Sequence, residues 1–499
     1  MFRIYHSNAL DVLKDLLVEL IRLDPLTDPF AQETILVQSP GMAQWLKLEL
    51  AQAQGIAASI DFPLPASFLW KSFSEVLEGV PERSAFNKEA MTWKLMELLP
   101  AELSQPEFSD LQRYLAADQG NFKLYQLCGK IADTFDQYLV YRPDWIADWE
   151  QGGQLAAETQ PWQPVLWRAL VERTRDSGQA HWHRANMFSE FVAALGRSRG
   201  QAGLPTRLFV FGISALPQNY LEALNAMGQK IDVHLMVTNP CRYYWGEILD
   251  QGQIARLNRS WFDKPGTDLG NYFEHGNPLL ASMGKLGRDY LVQLQELKAP
   301  EIEAFADIDR DSLLHQMQAD ILDLDDRARF PTQPDGFQQS VHKTPISADD
   351  TSIQLHGCHS PMREVEVLHD QLLAMFQAQP ELSPRDVIVM MPDVATYAPY
   401  VDAIFGNAPP DRYIPFSISD RSAQQENPLL QSFLRFIALA NSRLTVSEVL
   451  ELLEVPAVMR CFGLDQEGFH RIRHWVAEVN IRWGLDSQQR SQWDLPEFE

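Results

Sequence analysis

Apolar positions fall in two rhythms along this chain, short continuous blocks and helical stripes, and the two alternate from the first residues onward. A block at residues 2–5 leads through His6-Ser7-Asn8 into a stripe of Leu10, Leu13, Leu17 and Ile21, the spacing of one helix face. A second block, Ile35-Leu36-Val37, leads through Gln38-Ser39-Pro40-Gly41 into a helix expected from Met42 to about Leu50. Leu208-Phe209-Val210-Phe211 and residues 231–237 read as buried strands, and the helical stretch 220–227 between them makes a βαβ unit. Between residues 87 and 201 the pattern is mostly helical. Leu95 with Leu98 or Leu99 marks one stripe, and Leu124, Leu127, Ile131, Phe135 and Leu139 mark another. Helices lying between two strand clusters predict an insertion into an α/β core.

Residues 331–350 are polar and punctuated by proline and glycine, as in a linker. The α/β pattern then restarts. Residues 353–356 read as a strand, Ser360-Pro361 as a cap and first helical residue, and Val365, Leu368, Leu372 and Met375 as one helix face. Residues 387–391 read as a second buried strand. At 499 residues the chain exceeds what one core supports. The expected organisation is a first α/β domain from 1–86 and 202–330, an inserted helical domain at 87–201, the linker, and the start of a second, truncated α/β domain at 351–499. The residues before 499 show no closing element, so the last domain is expected to be short or the chain a fragment.

The strand-loop-helix units have the layout of a nucleotide-binding core without its phosphate loop. Such a loop needs glycines whose N–H groups wrap the phosphates, a lysine for their charge and a hydroxyl for magnesium. His6-Ser7-Asn8 has neither glycine nor lysine, and Asn8 with Asp11 reads as an ordinary N-cap. Gly284-Lys285 is followed by Leu286 and lacks the earlier glycine. No ATP site is expected.

Composition is that of a globular protein, 45% hydrophobic with 13 tryptophans. A net charge of -25 argues against a surface that attracts DNA everywhere, but it says nothing about a local channel. The four cysteines, Cys128, Cys241, Cys358 and Cys461, are too widely separated for a zinc ribbon or redox pair. With no signal pattern and no apolar run long enough to span a membrane, a cytoplasmic protein is expected.

Several residues are candidates for ligand contact. Gln38 and Gln44 flank a turn where a strand feeds a helix start; their amides either read base edges or tie down the turn. The stretch Asp61-Phe62-Pro63-Leu64-Pro65 precedes Trp70, which is either a stacking platform for an unpaired base or a core residue. Asp133, Asp136 and Gln137 share a helix face, with Arg142 where Pro143 ends the helix. They form either a base-reading set or a solvated face. His181-Trp182-His183 lacks a nearby carboxylate for a metal, Glu296-Leu297-Lys298 lies in a helical pattern unlike a nuclease strand, and no Gly-x-Ser-x-Gly elbow occurs.

Three longer stretches resemble the gamma-subunit (RecC) family of bacterial exodeoxyribonuclease V, the RecBCD complex. They are Ile35-Leu36-Val37-Gln38-Ser39 with Gly41-Met42-Ala43-Gln44-Trp45, then Ile60-Asp61-Phe62-Pro63-Leu64-Pro65-Ala66-Ser67-Phe68, and Phe135-Asp136-Gln137-Tyr138-Leu139-Val140-Tyr141-Arg142-Pro143. Shorter runs, including Trp182-His183-Arg184-Ala185-Asn186 and Gly212-Ile213-Ser214-Ala215-Leu216-Pro217, extend the resemblance along the chain.

The resemblance implies two helicase-like (RecA-like) α/β domains of the P-loop type that lack the phosphate loop, with helical insertions. It implies a non-catalytic DNA-binding subunit that helps split duplex ends and scans the 3′-ended single strand for the Chi recombination hotspot during double-strand break repair. RecB-like and RecD-like subunits would complete a heterotrimer and use the ATP and Mg2+, with no cofactor in this chain. The Chi-reading positions would be Gln38, Gln44, Leu64, Trp70, Asp133, Asp136, Arg142 and Arg184. Pro40 departs from the family pattern, which has Thr there, and this bears on whether the same octamer is read. The family's chain is also much longer. The rival expectations are an enzyme with an unrecognised nuclease or ATPase site, and a structural scaffold that touches no bases.

Overall fold

The computed structural model describes residues 1–28, 30–116, 120–197, 203–249, 276–326, 344–419, 427–439 and 442–486. These form two compact units, Met1–Ile353 and Gln354–Glu499. Most of the linker expected at 331–350 lies outside the described residues.

The first unit is built on a parallel six-stranded sheet. Its strands are β1 (Phe2–Ser7), β2 (Glu33–Leu36), β3 (Ile60–Asp61), β4 (Arg207–Phe211), β5 (Asp232–Thr238) and β6 (Glu301–Glu303), in the order β3-β2-β4-β5-β1-β6. The register pairs Ile4 with Leu235, Phe209 with His234, and Ile35 with Phe209. The central strands are buried on both faces, which is why they read as largely apolar blocks.

Chain path and layering follow from the handedness of parallel crossovers. From β1 the chain steps to β2 and β3 in one direction, through α1 (Leu10–Leu23) and α2 (Pro40–Gln54). It then steps back through β4 and β5 to β6. A right-handed crossover places its helix on opposite faces for opposite directions of travel. Accordingly α1 and α2 bury Leu13, Leu17, Leu46 and Leu50 against Tyr5, Ile35, Phe209 and Met236 on one face. The other face carries Ile4, Leu36, Val210 and Leu235. Covering them are α3 (Pro65–Val76) and, further along the chain, α9 (Arg184–Arg197), α10 (Gln218–Met227) and the helix Lys285–Glu296.

Between α3 and α9 lies a helical layer with its own core. It comprises α4 (Lys88–Glu102), α5 (Ser109–Leu115), α6 (Phe122–Tyr141), α7 (Pro143–Glu150) and α8 (Trp162–Asp176). Leu95, Leu99, Ile131, Phe135 and Leu139 meet Trp149 and Trp167 here, along the predicted stripes. The Asn219 amide donates to the Val140 carbonyl at 2.9 Å, fastening the end of α6 to α10. At the N-terminal ends of β2 and β4 the buried Arg207 forms a two-pronged pair with Glu33, its Nε donating at 2.9 Å. This pins β4 to β2.

One expectation fails in this unit. Asn8 does not cap α1; the cap position is Ala9, without a side-chain bond. The Asn8 side chain instead donates to the Ala306 carbonyl at 3.0 Å and accepts from the Ala306 N–H at 2.9 Å, closing the loop after β6. A partner 298 residues away outcompetes the local one.

In the second unit, the expected strands at 353–356 and 387–391 are not formed. Backbone pairing outside helices and turns is the antiparallel bridge Thr445–Trp483 among the described residues. Ile388 and Met390 are 85% and 90% exposed. An apolar run becomes a buried strand only where neighbours satisfy its backbone and cover its faces. The helix Pro361–Ala378 does form as expected, with the Ser360 hydroxyl accepting from the Arg363 N–H and Pro361 in the first turn. Its Val365 and Leu372 pack with Phe405 and Ile414.

Candidate nucleic-acid interface

Because all six strands are parallel, their C-terminal ends share one edge of the sheet, where open α/β proteins place their ligand loops. Gln38 and Leu64 both lie there. The Val37 N–H donates to the Pro63 carbonyl at 3.3 Å, so the residues that follow each partner, Gln38 and Leu64, leave the edge side by side. Both are exposed, as is Gln44 on α2. Neither glutamine amide ties down the turn. That task falls to Ser39, whose hydroxyl accepts from the Met42 N–H at 3.2 Å, with Pro40 in the first helical turn.

A cleft of about 200 Å³ lies between α3, the α6 stripe and the start of α9, and brings together Trp70, Asp136 and Arg184. Trp70 is half-buried. Its body packs against the sheet-side core, so it is neither a free platform nor wholly core. Its Nε1 is buried with no hydrogen-bond partner among the described residues. Arg184 donates to Asp136 at 3.0 Å, the pair sitting half-exposed in the wall. Glu82, Arg83 and Asn87 add further polar groups to the lining. These three come from the connection before α4, a stretch without periodicity, and nothing in their local pattern marks them.

The remaining candidates stand outside this cleft. Asp133, one turn before Asp136, takes a bond from Lys88 at 2.6 Å, and that bond holds its carboxyl below the usual carboxylate range. Arg142 ends α6 exposed, forked onto Asp144 at 2.9 and 3.1 Å and stacked 3.8 Å from the centre of the Trp145 ring. A planar guanidinium held by a carboxylate on one edge and a ring on one face keeps its orientation while its other face stays open.

His183 is absorbed by structure. Its Nε2 lies 2.8 Å from Glu150, which also accepts from the Trp167 indole at 3.1 Å. Burial would raise the Glu150 carboxyl, but the bonds from His183 and Trp167 outweigh it and hold the group down. Glu296 closes the helix Lys285–Glu296, as its pattern implies. Among the described residues no cluster of three or more His, Cys, Asp or Glu side chains has metal-binding geometry. No helix among them is long and apolar enough to cross a membrane.

The class thus defined is a parallel α/β protein whose helical layer shares a polar cleft with helices that cover the sheet. The family pattern described as RecC, N-terminal domain, matches residues 2–324, and that described as RecBCD enzyme subunit RecC fourth domain matches residues 426–499. The chain belongs to the RecC family. It is 49% identical to the RecBCD enzyme subunit RecC of Escherichia coli (strain K12), over 99% of this chain and 46% of that protein. To the subunit of the same name from Haemophilus influenzae it is 38% identical, over 98% of this chain and 47% of that protein. The corresponding figures for Mycolicibacterium smegmatis are 31%, 98% and 43%. The chain spans about half the length of the curated relatives it matches.

Proposed function

We propose that this chain acts as a non-catalytic, DNA-binding part of a RecBCD-type ATP-dependent exodeoxyribonuclease, working in double-strand break repair by homologous recombination in the cytoplasm. In this reading RecB-like and RecD-like partners supply the motors, the nuclease and the ATP and Mg2+ chemistry. This chain helps separate duplex ends and reads the Chi hotspot in the 3′-ended strand. Gln38 and Leu64 at the sheet edge, Gln44 on α2, Trp70, Asp136 and Arg184 in the cleft, and Asp133 and Arg142 on the inserted helices are its reading groups. The first unit is the first helicase-like domain, with residues 87–201 as its insertion and 331–350 as a linker. The second unit begins another helicase-like domain, entered through the helix Pro361–Ala378.

One observation carries this reading: Trp70, Asp136 and Arg184, far apart in sequence, converge on one cleft. An aromatic ring, an acceptor and a guanidinium together suit an unstacked base better than a phosphate alone. The test uses the assembled complex with Trp70→Ala and with Arg142→Ala. Each is expected to lower the hotspot response about tenfold, since one good base contact is worth about 1–3 kcal/mol, while unwinding is kept. Unchanged hotspot response in both variants would sink the assignment.

A further inference from the structure

The α6 stripe that enters the Trp70 cleft continues beyond it. Tyr125, Gly129, Asp133 and Asp136 recur at steps of four, four and three residues, so they share one face of the helix. Over eleven residues that face runs about 16 Å. Asp136 stands at one end in the first cleft, and Tyr125 at the other in a second, larger cleft of about 700 Å³. The first turn of α4 is the shared wall, Asn87 facing the first cleft and Lys88 the second.

The second cleft has an unusual lining for so acidic a protein. Trp93, Tyr114 and Tyr125 are 65%, 51% and 47% exposed, although large rings ordinarily bury themselves. Trp93 and Tyr125 lie 5.7 Å apart, tilted by 43°, and so offer two adjoining faces. Cations frame them. Lys88 and Lys130 line the cleft, and the Lys123 ammonium sits 5.8 Å from the centre of the Tyr114 ring. Glu89 is the acidic member of the lining. Gly129 keeps the α6 wall low, because a Cβ there would meet no atom within 4 Å.

We infer that this patch is a second nucleic-acid subsite, which holds single-stranded DNA by stacking on Trp93 and Tyr125 and by lysine contacts to the backbone, without reading bases. The inference rests on the proposed function, because it continues the path of the strand that the first cleft would read. Exposed aromatics interleaved with lysines form the recurrent surface for sequence-independent single-strand binding. Lys88, Lys123 and Lys130 outnumber Glu89 and the Lys88-bound Asp133 here, so in a chain of net charge -25 the patch is complementary to a polyanion and not to a cationic partner.

The test is the anisotropy of a labelled (dT)20 oligonucleotide titrated with the whole 499-residue chain. Trp93→Ala with Tyr125→Ala is expected to weaken binding about tenfold or more, and Trp93→Phe with Tyr125→Phe to stay within about twofold of the parent. Both pairs alter exposed rings, and thermal melts check that the fold is kept. Trp70→Ala separates the two clefts. If it weakens binding while the alanine pair does not, the second subsite is overturned and the first reading stands. If the alanine pair weakens binding while Trp70→Ala does not, the subsite stands, and the first cleft is judged by the hotspot response alone. A parent chain that does not bind (dT)20 overturns both. Loss of co-purification with partner subunits at unchanged (dT)20 affinity overturns the subsite in favour of a protein-docking face.

Discussion

At the scale of single residues, the sheet contains a built-in response to acid. His234 on β5 is buried, its Nδ1 2.9 Å from the Tyr5 hydroxyl and its ring stacked on Phe209. Burial first, and then the charge of Arg3, push its pKa down to about 4, against an ordinary value of 6.5. The unfolded chain therefore binds the extra proton between those two values. This contribution to stability is complete above about pH 6.5 and is lost as pH falls toward 4, a difference of up to about 3 kcal/mol. His6 adds to the same slope. Burial lowers it against the opposing charge of Glu303, so near neutral pH its 3.5 Å contact with Glu301 is not an ion pair. His234→Phe is expected to flatten the fall in stability between pH 6.5 and 4.5 relative to the parent. Urea midpoints at several pH values measure this, and parallel curves would refute it. None of it is legible in sequence, where His234 is one residue within an apolar run. The cleft is equally hidden. The helical spacing placed Asp133 and Asp136 on one face, but that Arg184 would lie 3.0 Å from Asp136 depends on how α9 returns to the sheet.

Elements were legible in proportion to how much of their surface is buried. β1, β2, β4 and β5 lie inside the sheet with covers on both faces, and each reads as a mainly apolar block, broken only by Arg3 in β1 and His234 in β5 between their apolar residues. β3, of two residues, and β6, Glu301-Ile302-Glu303, are edge strands with no such block, and they were missed. The opposite error, strands expected at 353–356 and 387–391, comes from equating apolar runs with buried ones. Of the inserted helices, α4 and α6 followed their stripes, because each buries that face against the Trp149–Trp167 core. Two glycines test how these elements pack. A Cβ on Gly228, just after α10, would lie 2.7 Å from the Phe2 Cβ and 3.1 Å from the Phe2 N, forcing β1 and α10 apart. Gly228→Ala should destabilise by about 1–3 kcal/mol. Gly129, inside α6 with open space before it, should behave oppositely. Gly129→Ala should stabilise by about 0.4–1 kcal/mol, because alanine restricts the unfolded chain and suits a helix. Denaturant titration of both variants checks the contrast, and equal shifts of one sign would contradict the packing described.

For the molecule as a whole, the balance of charge constrains how any strand is held. With 67 acidic residues against 42 lysines and arginines, a long phosphate-tracking groove is not available from the average surface. The cations placed along the α6 face are few, and some already have partners: Arg184 is paired to Asp136 and Lys88 to Asp133. Arg83, Lys123 and Lys130 add to them. If the strand lies along this face, three to five phosphates are neutralised, and stacking and base contacts supply the rest of the affinity. Each neutralised phosphate on a single strand contributes about -0.7 to the slope of log K against log salt concentration. The slope expected for (dT)20 is therefore about -2 to -4. The measurement is a titration at several chloride concentrations, repeated with the Trp93→Ala, Tyr125→Ala pair. Removing rings that touch no phosphate should lower the affinity at every salt concentration and leave the slope unchanged. A slope steeper than about -6 would mean that phosphate contacts dominate and that the strand follows a basic path other than the α6 face.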